Sequence, residues 1–130
     1  MTAPARRGGR GGSAADEALA RLLAETAPGM GLEIEAGGTS AYAYDASNYR
    51  VPPCAVAFHR TAGDVCAVLR ACWEVGVPVT ARGGGTSMAG NAVGPGVVLD
   101  FSREMNRFEI DPRARTARVE AGVVLDDLRG

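Results

Sequence analysis

The sequence predicts a mixed domain of helices and strands organised around a strand, helix, strand unit, and three features in its middle predict it. Cys54 to Phe58 is an apolar run that follows Pro52 and Pro53, whose ring and steric constraints force extended backbone. Thr61 with Asp64 forms a helix-capping pattern, after which Val65, Val68, Leu69, Cys72 and Trp73 fall on one helical face ending at Gly76. Val77 to Thr80 then reads as a second short strand. Brief joins make the two strands parallel, with a right-handed crossover.

The remaining elements follow in order. Residues 1 to 12 mix arginine with glycine and almost no apolar side chain, so a disordered tail is expected. Residues 13 to 39 are expected to form an amino-terminal helix and connector. Ser13 reads as the N-cap, Asp16 as a first-turn acid, and Leu19, Leu22 and Leu23 recur at helical spacing to about Ala27. Pro28 and Gly29 stop that helix, and Leu32 to Glu35 read as a short extended piece before a turn at Gly37 and Gly38. Tyr42 to Arg50 has no clear period; as letters alone, Asp45 and Ser47 suggest an ordinary Asx or Ser turn. Beyond the central unit, Gly96 to Phe101 and Arg107 to Ile110 read as strands, and Asp111-Pro112 turns the chain into Thr116 to Ala121. In that last strand Ala117, Val119 and Ala121 alternate with polar residues, which predicts one buried face. Gly122 leads into a further helix from Val123 to Arg129, with Asp126 and Asp127 in its first turn, where the helix dipole favours acids.

Length and charge bound the function. The 130 residues suffice for one modest domain, and a net charge of -1 gives no field for nucleic acid or an anionic membrane. Cys54, Cys66 and Cys72 are odd in number and lack metal-site spacing, so they read as reduced core thiols; His59 is the only histidine. No metal site is expected. Apolar runs fall well short of the roughly 18 residues that cross a bilayer, and the start lacks a signal-peptide core. A cytoplasmic location is expected, with peripheral membrane association compatible with it. Trp73 reads as a core residue.

The most informative stretch is Arg82-Gly83-Gly84-Gly85-Thr86-Ser87-Met88-Ala89-Gly90-Asn91, directly after a predicted strand. Adjacent glycines expose main-chain amides and allow positive φ, so that successive N–H groups can converge on an anion. Thr86 and Ser87 add hydroxyl donors, and Arg82 could add charge-assisted bonds. A diphosphate suits that donor set. A Walker A loop would need Lys after Gly90, where Asn91 stands, and the GxGxxG fingerprint fails because Met88 occupies the third glycine position. ATP hydrolysis and a Rossmann domain are both disfavoured. On the letters alone, a tight turn between two strands accounts for the glycines about as well as a ligand does.

The chain resembles the FAD-linked oxidases with a PCMH-type FAD-binding domain, in the branch of D-lactate dehydrogenases and glycolate oxidase subunits. The resemblance runs through Tyr44-Asp45-Ala46-Ser47, Pro53-Cys54-Ala55-Val56, Thr61 to Val65, Gly76-Val77-Pro78-Val79 and the loop Arg82 to Gly90. It continues through Gly96 to Asp100, Met105-Asn106-Arg107, Ile110-Asp111-Pro112 and Val119 to Gly122, so it covers residues 40 to 130.

The resemblance implies an α+β fold of two small subdomains with FAD between them, the first holding the βαβ unit and the second incomplete at the carboxy end. It implies that Arg82, Gly83, Gly84, Gly85, Thr86, Ser87, Gly90 and Asn91 bind the cofactor's diphosphate. Thr86 stands where some relatives carry a histidine covalently bound to flavin, which implies non-covalent FAD. The implied reaction is oxidation of a D-2-hydroxy acid of the D-lactate or glycolate type by hydride transfer to FAD. Its catalytic residues would lie in a carboxy-terminal cap domain outside this chain, so the 130 residues alone are expected to be inactive. An iron-sulfur module or another electron acceptor is the implied partner. The rivals are a non-catalytic truncated remnant and another flavin oxidase or reductase of the same fold, such as a sugar-nucleotide reductase or an alditol or phenol oxidase.

Overall fold

The computed structural model describes residues 14–129; the expected tail at 1–12 and the expected N-cap Ser13 lie outside them. Helix α1 (Ala14–Thr26) leads to strand β1 (Gly31–Glu33), a short helix α2 (Ala36–Thr39) and a 3-10 turn (Ser40–Ala43). Strand β2 (Ala55–Phe58), helix α3 (Ala62–Val75) and strand β3 (Val79–Arg82) follow, then β4 (Val97–Asp100), the hairpin β5 (Phe108–Asp111) and β6 (Thr116–Val119), and helix α4 (Leu125–Arg129).

Four strands form one sheet in the order β1-β2-β4-β3, with β2 and β3 each parallel to β4 and β1 antiparallel to β2. The expected parallel strands β2 and β3 are therefore present, but they are not neighbours, because β4 is inserted between them. Its Val97-Val98-Leu99 is buried on both faces, which suits an apolar run to the centre of the sheet. β3 also begins two residues later than expected. Val77 still belongs to the helix end, its amide bonding Cys72 O at 2.9 Å, and Pro78 has no amide to give.

Side chains alternate between the two faces of this sheet. Ala55, Ala57, Val97 and Leu99 face Leu19 and Leu23 of α1 and Val68, Ala71 and Cys72 of α3, forming the main core. Val56 and Val98 face the other way, under Tyr42. α3 starts on the capping box that its letters predict: Thr61 Oγ1 accepts from the Asp64 amide and the Asp64 carboxylate accepts from the Thr61 amide. It stops at Gly76, whose φ of 68° is a left-handed cap.

Four expectations are corrected. Trp73 is 87 % exposed and Leu69 is also exposed, because the buried face of α3 is centred on Val68, Ala71 and Cys72, and these two lie about 100° round from Val68 and Cys72. Cys66 is exposed and Cys54 half-buried, so only Cys72 is a core thiol, although all three are free. Gly37 and Gly38 lie within α2 instead of forming a turn; a Cβ on Gly38 would fall on the Glu33 carboxyl, so glycine lets the helix close onto β1. Finally, all residues of β5 and β6 are exposed, so neither face of that hairpin is buried among the described residues. Alternation predicts which side chains share a face, not whether anything covers it.

Candidate functional site

The glycine loop leaves the carboxy end of β3 and returns to β4 across the sheet face that carries Tyr42. Its first residue, Arg82, does not point outward. Its Nη1 donates to Tyr44 O at 2.7 Å and Ala92 O at 3.1 Å, and its guanidinium lies 5.1 Å from the centre of the Tyr42 ring. Gly85 packs on the same group: a Cβ there would sit 2.3 Å from Nη2, and its φ of 69° already disfavours other residues. Gly85 is thus fixed by the protein's own geometry.

Gly83 and Gly84 differ. Both are exposed, neither has positive φ, nothing lies within 4 Å of a Cβ built on Gly83, and Gly84's would meet only Thr86 Cγ2 at 3.7 Å. Nothing among the described residues requires glycine at either position. Among the described residues, moreover, no main-chain amide from 83 to 90 donates a hydrogen bond within the chain. Amides in a row without a partner in the described chain, two of them on glycines whose Cβ positions are open, are available to solvent or to an acceptor supplied from outside. Thr86 is exposed, and the half-buried Ser87 accepts from the Asn91 amide at 3.2 Å through Oγ, leaving its hydroxyl proton free to donate.

The far end of the loop is tied to a segment distant in sequence. The Ala92 amide donates to Asp45 Oδ2 at 3.3 Å, while Asp45 Oδ1 accepts from the Ser47 amide at 2.8 Å and from the Ser47 hydroxyl. These donors, the Ser47 hydroxyl foremost, hold the Asp45 carboxyl below the usual carboxylate range. The Asx turn legible at Asp45 is present and does a second job. Tyr49 also approaches the loop, its ring filling the space a Cβ on Gly90 would need. Beneath, the Tyr42 hydroxyl donates to the buried Asp100 carboxylate at 2.5 Å, and burial followed by that hydrogen bond pushes the phenol up to about 12. Asp100 also takes the Ser102 amide and hydroxyl at 2.7 and 2.6 Å, which closes the end of β4.

Tyr42, Tyr44, Asp100 and Ala92 were not legible as site residues. Only the sheet order brings segments 42–45 and 92–100 to the mouth of β3. Thr86, Ser87 and Asn91 lie on the loop as expected, and no helix among the described residues is long and apolar enough to cross a membrane.

This arrangement can be set beside known proteins. The family model described as "FAD binding domain" matches residues 53–129. D-2-hydroxyglutarate dehydrogenase of Pantoea ananatis (strain AJ13355) is 43 % identical over 88 residues, 65 % of this chain and 9 % of that protein. The glycolate oxidase subunit GlcD of Escherichia coli (strain K12) is 38 % identical over 79 residues, 59 % of this chain and 16 % of that protein. Among solved structures, 4-ethylphenol oxidase from Gulosibacter chungangensis matches with a TM-score of 0.75 and 25 % identity, covering 91 % of this chain and 24 % of that one. 6-Hydroxy-D-nicotine oxidase from Arthrobacter nicotinovorans matches with a TM-score of 0.68 and 31 % identity, covering 77 % and 22 %. The chain therefore spans only a small part of the length of the proteins it matches.

Proposed function

This chain belongs to the FAD-binding domain family of PCMH-type FAD-linked oxidoreductases, and from that premise we propose that the loop from Arg82 to Asn91 is the cradle of the FAD diphosphate. The observation that carries the reading is the run of amides at 83–90 without a partner among the described residues, together with the open Cβ positions of Gly83 and Gly84. A diphosphate offers acceptors to several amides at once, and the Thr86 and Ser87 hydroxyls and the Asn91 side chain can complete its shell. With Thr86 at the loop's centre, FAD is held here without a covalent bond from the loop.

The reaction proposed is oxidation of a D-2-hydroxy acid. It is favoured over a phenol or a sugar by the curated relatives, whose names specify D-2-hydroxyglutarate and glycolate. Bound FAD supplies the acceptor for the hydride leaving the substrate's α-carbon. The part of this chain is to bind and orient the cofactor; no residue of it is assigned to proton transfer, and the 130 residues alone are proposed to be inactive.

Gly84→Asp tests the cradle. In the protein expressed from its full reading frame and stripped of flavin, a carboxylate at 84 would face the phosphates and repel them, so FAD affinity should fall about tenfold or more. Gly84 is unconstrained by its own neighbours, so the far-ultraviolet circular dichroism should stay as in the wild type. Wild-type FAD affinity in this variant would rule the loop out as the diphosphate site.

A further inference from the structure

We infer that Arg82 and Asp45 form a latch that closes the two ends of the glycine loop on each other, so that Arg82 is a positioning residue for FAD and not one of its phosphate ligands. The inference rests on the reading of the loop as the diphosphate site and assigns the residues that give it shape.

Three contacts meet at the loop's end. The Ala92 carbonyl accepts from Arg82 Nη1 at 3.1 Å, the Ala92 amide donates to Asp45 Oδ2 at 3.3 Å, and the same Arg82 nitrogen donates to Tyr44 O at 2.7 Å. Residue 82 opens the loop, residue 92 ends it, and residues 44 and 45 come from a different part of the chain. One guanidinium and one carboxylate thus join three segments around a stretch whose amides from 83 to 90 make no hydrogen bond among the described residues. The guanidinium is also packed, with the Tyr42 ring and the Gly85 main chain against it. To reach a phosphate it would have to leave both carbonyls and uncover that packing.

The latch answers an energetic need. A loop holding several glycines loses much conformational freedom when it closes on a ligand. Tying its ends before the ligand arrives lowers that cost, which is how preorganisation strengthens binding. It also explains a carboxylate beside a site for an anion. Asp45 is occupied by the donors of Ser47 and Ala92, and its low titration range keeps it an acceptor under ordinary conditions.

The test measures FAD dissociation constants for the flavin-stripped protein from its full reading frame, at low and moderate salt, with melting of the flavin-free form alongside. The variants are Arg82→Lys, Arg82→Gln, Asp45→Asn and the Arg82→Gln/Asp45→Asn pair, with Thr61→Ala as a variant weakened at the cap of α3, outside the loop, and Gly84→Asp as the check on the cradle. A single ammonium cannot replace the fork that spans two carbonyls, so Arg82→Lys should weaken FAD about as much as Arg82→Gln, roughly tenfold. The pair should be little worse than either single variant, since each opens the same latch. The salt dependence of FAD binding should be little changed in the Arg82 and Asp45 variants, and Thr61→Ala should bind FAD as the wild type does.

Several results overturn the latch. Arg82→Lys binding normally while Arg82→Gln loses both affinity and salt dependence makes Arg82 a phosphate ligand. Losses that simply add, or a Thr61→Ala loss equal to the others, make the effect one of separate contacts or of general stability. Should Arg82→Gln not fold, Asp45→Asn carries the test, being near-isosteric at a half-exposed position. Gly84→Asp separates the two readings: if it weakens FAD while the latch variants do not, the latch alone fails; if it has no effect, cradle and latch fall together.

Discussion

His59 follows β2 with its side chain fully buried, its ring centre 4.1 Å from that of Phe101, and neither ring nitrogen hydrogen-bonded among the described residues. Burial disfavours the imidazolium and pushes the pKa below its ordinary value. The sign follows from linkage: the unfolded chain takes up a proton near pH 6.5 while the folded chain resists, so stability is fully present above that pH and is lost as pH falls below it. Because His59 is the only histidine, His59→Phe should flatten the pH dependence of stability between about pH 7 and 5. Urea unfolding across that range checks it, and an unchanged slope would show that His59 does not feel its burial. At this scale the sequence was readable for residues that act through their own backbone. Gly85 and the capping pair Thr61 and Asp64 declare themselves in the letters. Asp45 was legible only as a local turn, because its bond to Ala92 crosses a distance in the chain that no local pattern encodes.

Elements depend on spacing, and spacing was most legible where one stripe met one neighbour. Helix α1 was expected from Leu19, Leu22 and Leu23; Leu19 and Leu23 lie in the core it shares with α3. α3 was placed correctly at both ends by its caps, yet its face was drawn too wide, and Trp73 marks the error. Trp73 is the only tryptophan, so its fluorescence reports that face alone. Its emission should be red-shifted and readily quenched by iodide in the 130-residue chain, and Trp73→Ala should change stability by less than about 0.5 kcal/mol. A blue-shifted, protected signal would mean that the helix is rotated from the position described. β3 shows the other failing of local reading: the strand began only after the helix cap had used Val77, a boundary set by a hydrogen bond and not by composition.

At the scale of the whole molecule, strand order could not be read from the letters. The alternation of strand, helix and strand implied parallel strands without saying which lie side by side; β4 fills the gap between β2 and β3 because its buried apolar run suits the centre of the sheet. That insertion is what carries the loop over the Tyr42 face and brings residues 44, 45 and 92 together. The exposed β5 and β6 hairpin, by contrast, belongs to a sheet of two strands, which is marginal by itself in water. Of the proposed cradle, only the glycine loop itself was legible in advance, because three adjacent glycines after a strand are a local pattern; on the letters alone they suited a tight turn about as well as a diphosphate. The loop's role is tested most directly by a crystal structure of the protein from its full reading frame with FAD bound. The account expects diphosphate oxygens about 2.7–3.2 Å from main-chain amides of residues 83 to 90. A diphosphate held elsewhere, with those amides turned to solvent, would contradict it.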